Sequence, residues 1–111
     1  MRLDPCNATL LSNRSLCWLR FGDPTRALKD AQLCRMIRPG WPKACYREGT
    51  ALMLLKDYEK ACGAFLEGVK LEPGNAEIEE GLREALESLK ISGSSTRKDL
   101  LDQHQLVDAV N

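Results

Sequence analysis

A proline recurs at a fixed interval of 34 residues, at Pro5, Pro39 and Pro73, each two places after an aliphatic residue, Leu3, Ile37 or Leu71. Superposing the units Ala8 to Trp41 and Pro42 to Asn75 also pairs Asp23 with Asp57, Arg26 with Lys60, Ala27 with Ala61 and Gly40 with Gly74. A unit this short cannot enclose a core of its own. It must bury its apolar face against the units before and after it, which makes the chain a solenoid.

Local signals divide each unit into two helices. Asn7 precedes Ala8-Thr9-Leu10-Leu11 and Asn75 precedes Ala76-Glu77-Ile78, and an amide there can accept from free N–H groups of the first turn. In the middle unit the same place holds Trp41-Pro42, where the fixed φ of proline suits the first helical position. Second starts occur at Asp23-Pro24 and Asp57-Tyr58. The expected helices span about 8–21, 24–37, 42–55, 58–71 and 76–91, with short connections that make successive helices antiparallel.

Small residues fall where helices must approach closely: Ser15, Ala27, Ala31, Cys34, Gly49, Ala61 and Gly68. Leu11, Trp18, Leu52 and Phe65 fill the space between. A glycine inside a helix costs about 1 kcal/mol relative to alanine, so Gly49 and Gly68 predict backbones in near contact. This alternation, with two helices per 34 residues, resembles the tetratricopeptide repeat from Leu3 to about Lys90. The expected fold is therefore all-α: a tetratricopeptide helix-turn-helix solenoid with repeats at 8–41 and 42–75. Residues 1–7 read as the tail of an upstream repeat, and 76–91 as a capping helix with one apolar and one charged face. From 92 to 111, Ser92-Gly93-Ser94-Ser95-Thr96 predicts a flexible break, followed by either a short helix or a frayed tail. The first helix then has an open face, to be covered by a longer parent chain, a second copy forming a homodimer, or the C-terminal tail.

Sixteen basic and sixteen acidic residues cancel, which removes the general attraction to nucleic acid or anionic membrane. The five cysteines, Cys6, Cys17, Cys34, Cys45 and Cys62, include no CxxC pair and sit among apolar residues, so they read as small core residues in a reducing compartment. The first residues lack the apolar core of a signal peptide, and the expected location is cytoplasmic, with the nucleus compatible. No phosphate loop, metal spacing or paired catalytic groups occur, and the single histidine, His104, lies in the tail. An enzyme is not expected, nor a cofactor.

In a stack of helix pairs the first helix of each unit lines one concave surface. Asn13 holds the sixth position of the first unit, and Lys43 and Arg47 the second and sixth of the next. Lys43 and Arg47, four apart, share a helical face, and together the three offer donors suited to a carboxylate. The strings Ser12-Asn13-Arg14-Ser15 and Trp41-Pro42-Lys43-Ala44-Cys45-Tyr46-Arg47 resemble carboxylate-clamp tetratricopeptide domains of co-chaperones. Such domains grip the C-terminal Glu-Glu-Val-Asp of heat-shock chaperones of the seventy and ninety families. The resemblance implies that Asn13 holds the terminal carboxylate, and Lys43 and Arg47 the aspartate side chain or adjoining backbone. The family's other two clamp residues, a lysine and an asparagine of its first repeat, have no counterpart in this sequence. Arg14, Arg20, Arg26, Lys29, Arg35 and Arg38 are assigned to the outer surface. The run from Ser12 to Lys90 also resembles the tetratricopeptide portion of plant ankyrin-repeat proteins. Two other functions stay open: a structural scaffold without a peptide clamp, and single-stranded RNA binding, which the charge balance and the 34-residue spacing oppose.

Overall fold

A computed structural model describes residues 7–108, with side chains described for 7–92. The helices are α1 (Ala8–Phe21), α2 (Pro24–Ile37), α3 (Pro42–Leu54), α4 (Tyr58–Leu71) and α5 (Ala76–Asp108). The expected side-chain caps form: Asn7 accepts from the Leu10 N–H at 3.1 Å, Asp23 from Arg26 at 3.1 Å, Asp57 from Lys60 at 3.3 Å and Asn75 from Ile78 at 3.1 Å. Both hairpin turns use one left-handed residue after the first helix, Gly22 (φ 92°) and, 34 residues on, Lys56 (φ 63°). The next N–H in each, of Asp23 and Asp57, returns to the carbonyl of Trp18 (2.8 Å) or Leu52 (2.9 Å).

Each helix packs on the next, and α1 meets α3 and α3 meets α5 one hairpin along. The core is therefore a string of small clusters. One joins Ala8, Leu11, Cys34 and Ala44 with Trp41 against it, and a second joins Leu52, Ala61, Ala64, Phe65, Ile78 and Ala85. The small residues singled out in the sequence are all buried. Phe65, 2% exposed, explains why Gly49 must be glycine. A Cβ on Gly49 would stand 2.6 Å from the ring, and so would one on Gly81 of α5. The ring is wedged between two bare stretches of helix.

Three expectations need correction. Cys17 is exposed rather than in the core, because it lies two places past the buried Ser15 on α1; Cys34 and Cys45 are buried and Cys62 is half-buried. Arg35 is half-buried rather than on the outer surface, whereas Arg14 is exposed as expected; both are paired. Arg14 grips the buried Asp30 through two bonds of 2.7 and 2.9 Å, tying α1 to α2, and Arg35 meets Glu48 at 2.6 Å, tying α2 to α3. Arg26 and Arg38 do lie outward, over the rings of Trp18 and Trp41. Finally, α5 runs unbroken through 92–96 to Asp108. One glycine in a helix costs only about 1 kcal/mol, and the good helix formers Arg97, Lys98, Leu100 and Leu101 follow it. Residues 1–6, including Cys6 and most of the expected upstream tail, lie outside the described residues, as does the side chain of His104.

Candidate functional site

The N-terminal ends of α3 and α5 stand side by side, and the cleft between them measures about 260 Å³. Lys43 and Arg47 line it with Trp41, Tyr46, Glu72, Asn75 and Glu77. Lys43 is exposed and Arg47 half-buried. The sequence therefore placed both cations on one surface, as their four-residue spacing requires.

Arg47 is also fixed from behind. Its Nε donates to the carbonyl and to the hydroxyl of Ser12, both at 3.2 Å, and Ser12 is fully buried in α1. The guanidinium thus spans two hairpins, with one edge spent on α1 and the group still lining the cleft. Asn13, next along α1, is exposed but does not line the cleft with Lys43 and Arg47. The structure brings two of the three expected residues into one pocket; the third adjoins the anchor of Arg47.

Beside the cleft lies a larger cavity of about 470 Å³, lined by α3, α4 and α5. Tyr46 and Glu77 belong to both. The floor carries Tyr46, Met53 and Phe65; Glu80 and Glu84 stand on the α5 side with Gly81 between them. The Tyr46 and Phe65 rings lie 6.0 Å apart at 56°. Burial first, then the charge of Glu77, pushes the Tyr46 hydroxyl above its ordinary pKa. The cations stand only in the smaller cleft, where Glu72 and Glu77 also line the surface, and the larger cavity carries carboxylates alone.

Sequence reasoning left Glu77, Glu80 and Glu84 on the charged face of the capping helix and gave Tyr46 no role of its own. A signal was present. Shifting Lys43 by one period gives Glu77, shifting Arg47 gives Gly81, and Tyr46 and Thr50 give Glu80 and Glu84. The groove positions that are basic in one unit are acidic or empty in the next. Among the described residues, no group of three or more His, Cys, Asp or Glu could hold a metal ion, and no helix is long and apolar enough to cross a membrane.

Comparison with known proteins agrees with this architecture. The family described as Tetratricopeptide repeat matches residues 42–75. The Hsp70-Hsp90 organizing protein of Triticum aestivum is 31% identical over 93% of this chain, which spans only 18% of that protein. Among solved structures, the first TPR of Spaghetti (RPAP3) bound to the HSP90 peptide SRMEEVD aligns with a TM-score of 0.74 at 30% identity, covering 78% of this chain and 68% of that one. The second TPR domain of human RPAP3, in complex with the HSP70 peptide SGPTIEEVD, aligns with a TM-score of 0.71 at 30% identity, covering 74% and 68%. With its 34-residue period, paired antiparallel helices and these likenesses, the chain belongs to the tetratricopeptide repeat family.

Proposed function

We propose that this chain is a non-catalytic module that binds the C-terminal carboxylate tail of a heat-shock chaperone. The observation that carries the reading is the pairing of Lys43 and Arg47 in one cleft, with the Arg47 guanidinium pre-set by Ser12. A fork held before the ligand arrives loses little rotamer freedom on binding, and its charge-assisted bonds are about twice as strong as neutral ones. Lys43 supplies a mobile point charge, and the exposed Asn13 amide adds a donor and an acceptor at the edge. The solved relatives bound to peptides ending in EEVD support the ligand class. A cytoplasmic place, with the nucleus compatible, belongs to the same reading, and no cofactor is required.

The test is calorimetric titration with a peptide ending in Glu-Glu-Val-Asp and with its C-terminally amidated form. Binding is expected for the free acid alone, and Lys43→Ala or Arg47→Ala should weaken it by tenfold or more, in the range of about 1.5–3 kcal/mol for a lost bond to a charged group. Equal binding of both forms would reject the clamp. A second reading, self-association as a scaffold, draws on the exposed Phe21 and Met36, 79% and 77% accessible. Light scattering that finds a dimer, with no peptide binding, would favour it.

A further inference from the structure

We propose that Glu48, which lines neither cavity, is a positioning residue for tail binding: paired with Arg35, it sets the roll of α3 at which the Arg47 guanidinium meets Ser12 and faces the cleft. The inference rests on the carboxylate reading above and adds to it a residue that acts through Arg47 without touching the ligand.

Three observations converge on it. First, neighbouring residues of α3 reach back to both helices of the preceding hairpin. The Arg47 Nε donates to Ser12 of α1 at 3.2 Å, and the Glu48 carboxylate accepts from the Arg35 Nη1 of α2 at 2.6 Å. Successive residues point about 100° apart around a helix, so one tie alone leaves α3 free to turn about it and two in different directions do not. Second, the tolerances differ. A roll of about 10° carries a group about 5–6 Å from the helix axis through about 1 Å. The two Arg47 bonds already stand at the long end of the hydrogen-bond range, and such a shift would break them. The Arg35–Glu48 bond is short and charge-assisted, and with its side chains only 28% and 14% exposed it is little screened by water, which makes it the stiffer tie. Third, apolar packing does little to fix the roll here. The cluster between α3 and the first hairpin is built of Ala8, Leu11, Cys34 and Ala44, three of them small, with Trp41 at its edge.

The next junction makes the same contact without charge. One period on, Arg35 becomes Val69 and Glu48 becomes Leu82, and both pack against the second apolar cluster. There the period equivalent of Arg47 is Gly81. A partly buried ion pair is about as stabilising as well-packed apolar side chains of similar volume, yet it demands one geometry where apolar contacts accept several. The charged version therefore stands where an arginine is presented to the cleft, and the apolar version where the equivalent residue has no side chain to hold.

The experiment installs the second junction in the first, as Arg35→Val with Glu48→Leu in the full chain. Unfolding in urea should keep its midpoint close to that of the unmodified chain. Calorimetry with the free-acid peptide SRMEEVD should show binding weakened about threefold to tenfold, the cost of ordering one guanidinium on binding. Repeated on Arg47→Ala, the same exchange should change affinity by a factor of about one. Glu48→Gln keeps the shape of the side chain and removes its charge; it should act in the same direction, and it serves if the apolar pair disturbs folding. Without ligand, the Arg47 Nε–H followed by NMR should exchange its proton slowly in the unmodified chain and faster in each variant. Unchanged affinity or unchanged exchange in the variants, or an equal loss of affinity on Arg47→Ala, overturns the inference while leaving the carboxylate reading intact. Equal binding of the free acid and its amide by the unmodified chain overturns the carboxylate reading, and exchange of the Arg47 Nε–H then decides the tie by itself.

Discussion

The same substitution, glycine to alanine, should have opposite effects at two helical positions of this protein. Gly63 is exposed in the middle of α4 and nothing lies within 4 Å of an added Cβ. Gly63→Ala gains only helix propensity, about 0.8–1 kcal/mol. Gly49→Ala gains the same propensity but places the new carbon 2.6 Å from two atoms of the Phe65 ring and 2.8 Å from a third. That is about 1 Å inside the optimal carbon separation of roughly 3.5–4.0 Å. The ring has little room to retreat toward α5, because α5 runs so close at Gly81 that a Cβ there would also stand 2.6 Å from it. Overpacking of a filled core costs about 1–3 kcal/mol; this close contact falls in the upper half of that range, about 2–3 kcal/mol, so the net loss for Gly49→Ala is about 1–2 kcal/mol. Thermal unfolding followed by circular dichroism should show Gly63→Ala melting about 4 °C higher and Gly49→Ala about 4–10 °C lower. Adding Phe65→Leu to Gly49→Ala should recover stability relative to additive losses, with a coupling above about 1 kcal/mol. Shifts of equal sign for the two alanines, or strict additivity with Phe65→Leu, would refute the wedged ring.

The left-handed Lys56 occupies the turn position that Gly22 holds in the first hairpin; Lys56→Gly should raise stability by about 0.5–1 kcal/mol, read as a higher urea midpoint. Arg14→Met leaves Asp30, 4% exposed, without its guanidinium and should cost about 1–3 kcal/mol, whereas Arg14→Met with Asp30→Leu should recover most of it by denaturant titration. Burial pushes the Cys34, Cys45 and Cys62 thiols up, so the folded chain holds these protons more tightly than the unfolded one. Their contribution to stability is complete below the ordinary thiol pKa of 9.0 and is lost as pH rises through the folded values, which pH-dependent melting will register. Under native conditions a thiol reagent should label the exposed Cys17 rapidly and reach Cys34 and Cys45 only on unfolding, as read by mass spectrometry.

Helix limits were legible because their causes are local. Asn7, Asp23, Asp57 and Asn75 each cap an N–H only three residues ahead, and a sequence window of that width contains the whole interaction. The joint placement of Lys43 and Arg47 was legible for the same reason, since both belong to one helix. The ties Arg14–Asp30 and Arg47–Ser12 span 16 and 35 residues, and they depend on how far each helix rolls about its axis. Periodicity does not fix that roll closely enough to aim an arginine. The acidic side of the larger cavity stands between these cases. Its carboxylates Glu77, Glu80 and Glu84 occupy the period equivalents of Lys43, Tyr46 and Thr50, yet their shared face becomes a wall only once α5 lies beside α3. The unbroken α5 was missed because a Gly-Ser-Ser run signals a turn only where no neighbouring residues favour helix strongly enough to outweigh it.

The bond from Arg47 to Ser12 makes the recognition chemistry of one hairpin a property of the hairpin before it. A segment from Pro42 to Asn75 transplanted alone into another array would keep its cations but not their aim, unless the preceding unit offered a hydroxyl and a carbonyl at the same height. In such an array the inheritable unit of specificity is the seam between neighbours, and shuffling hairpins during evolution or engineering would rewrite ligand preference without altering any residue that touches the ligand.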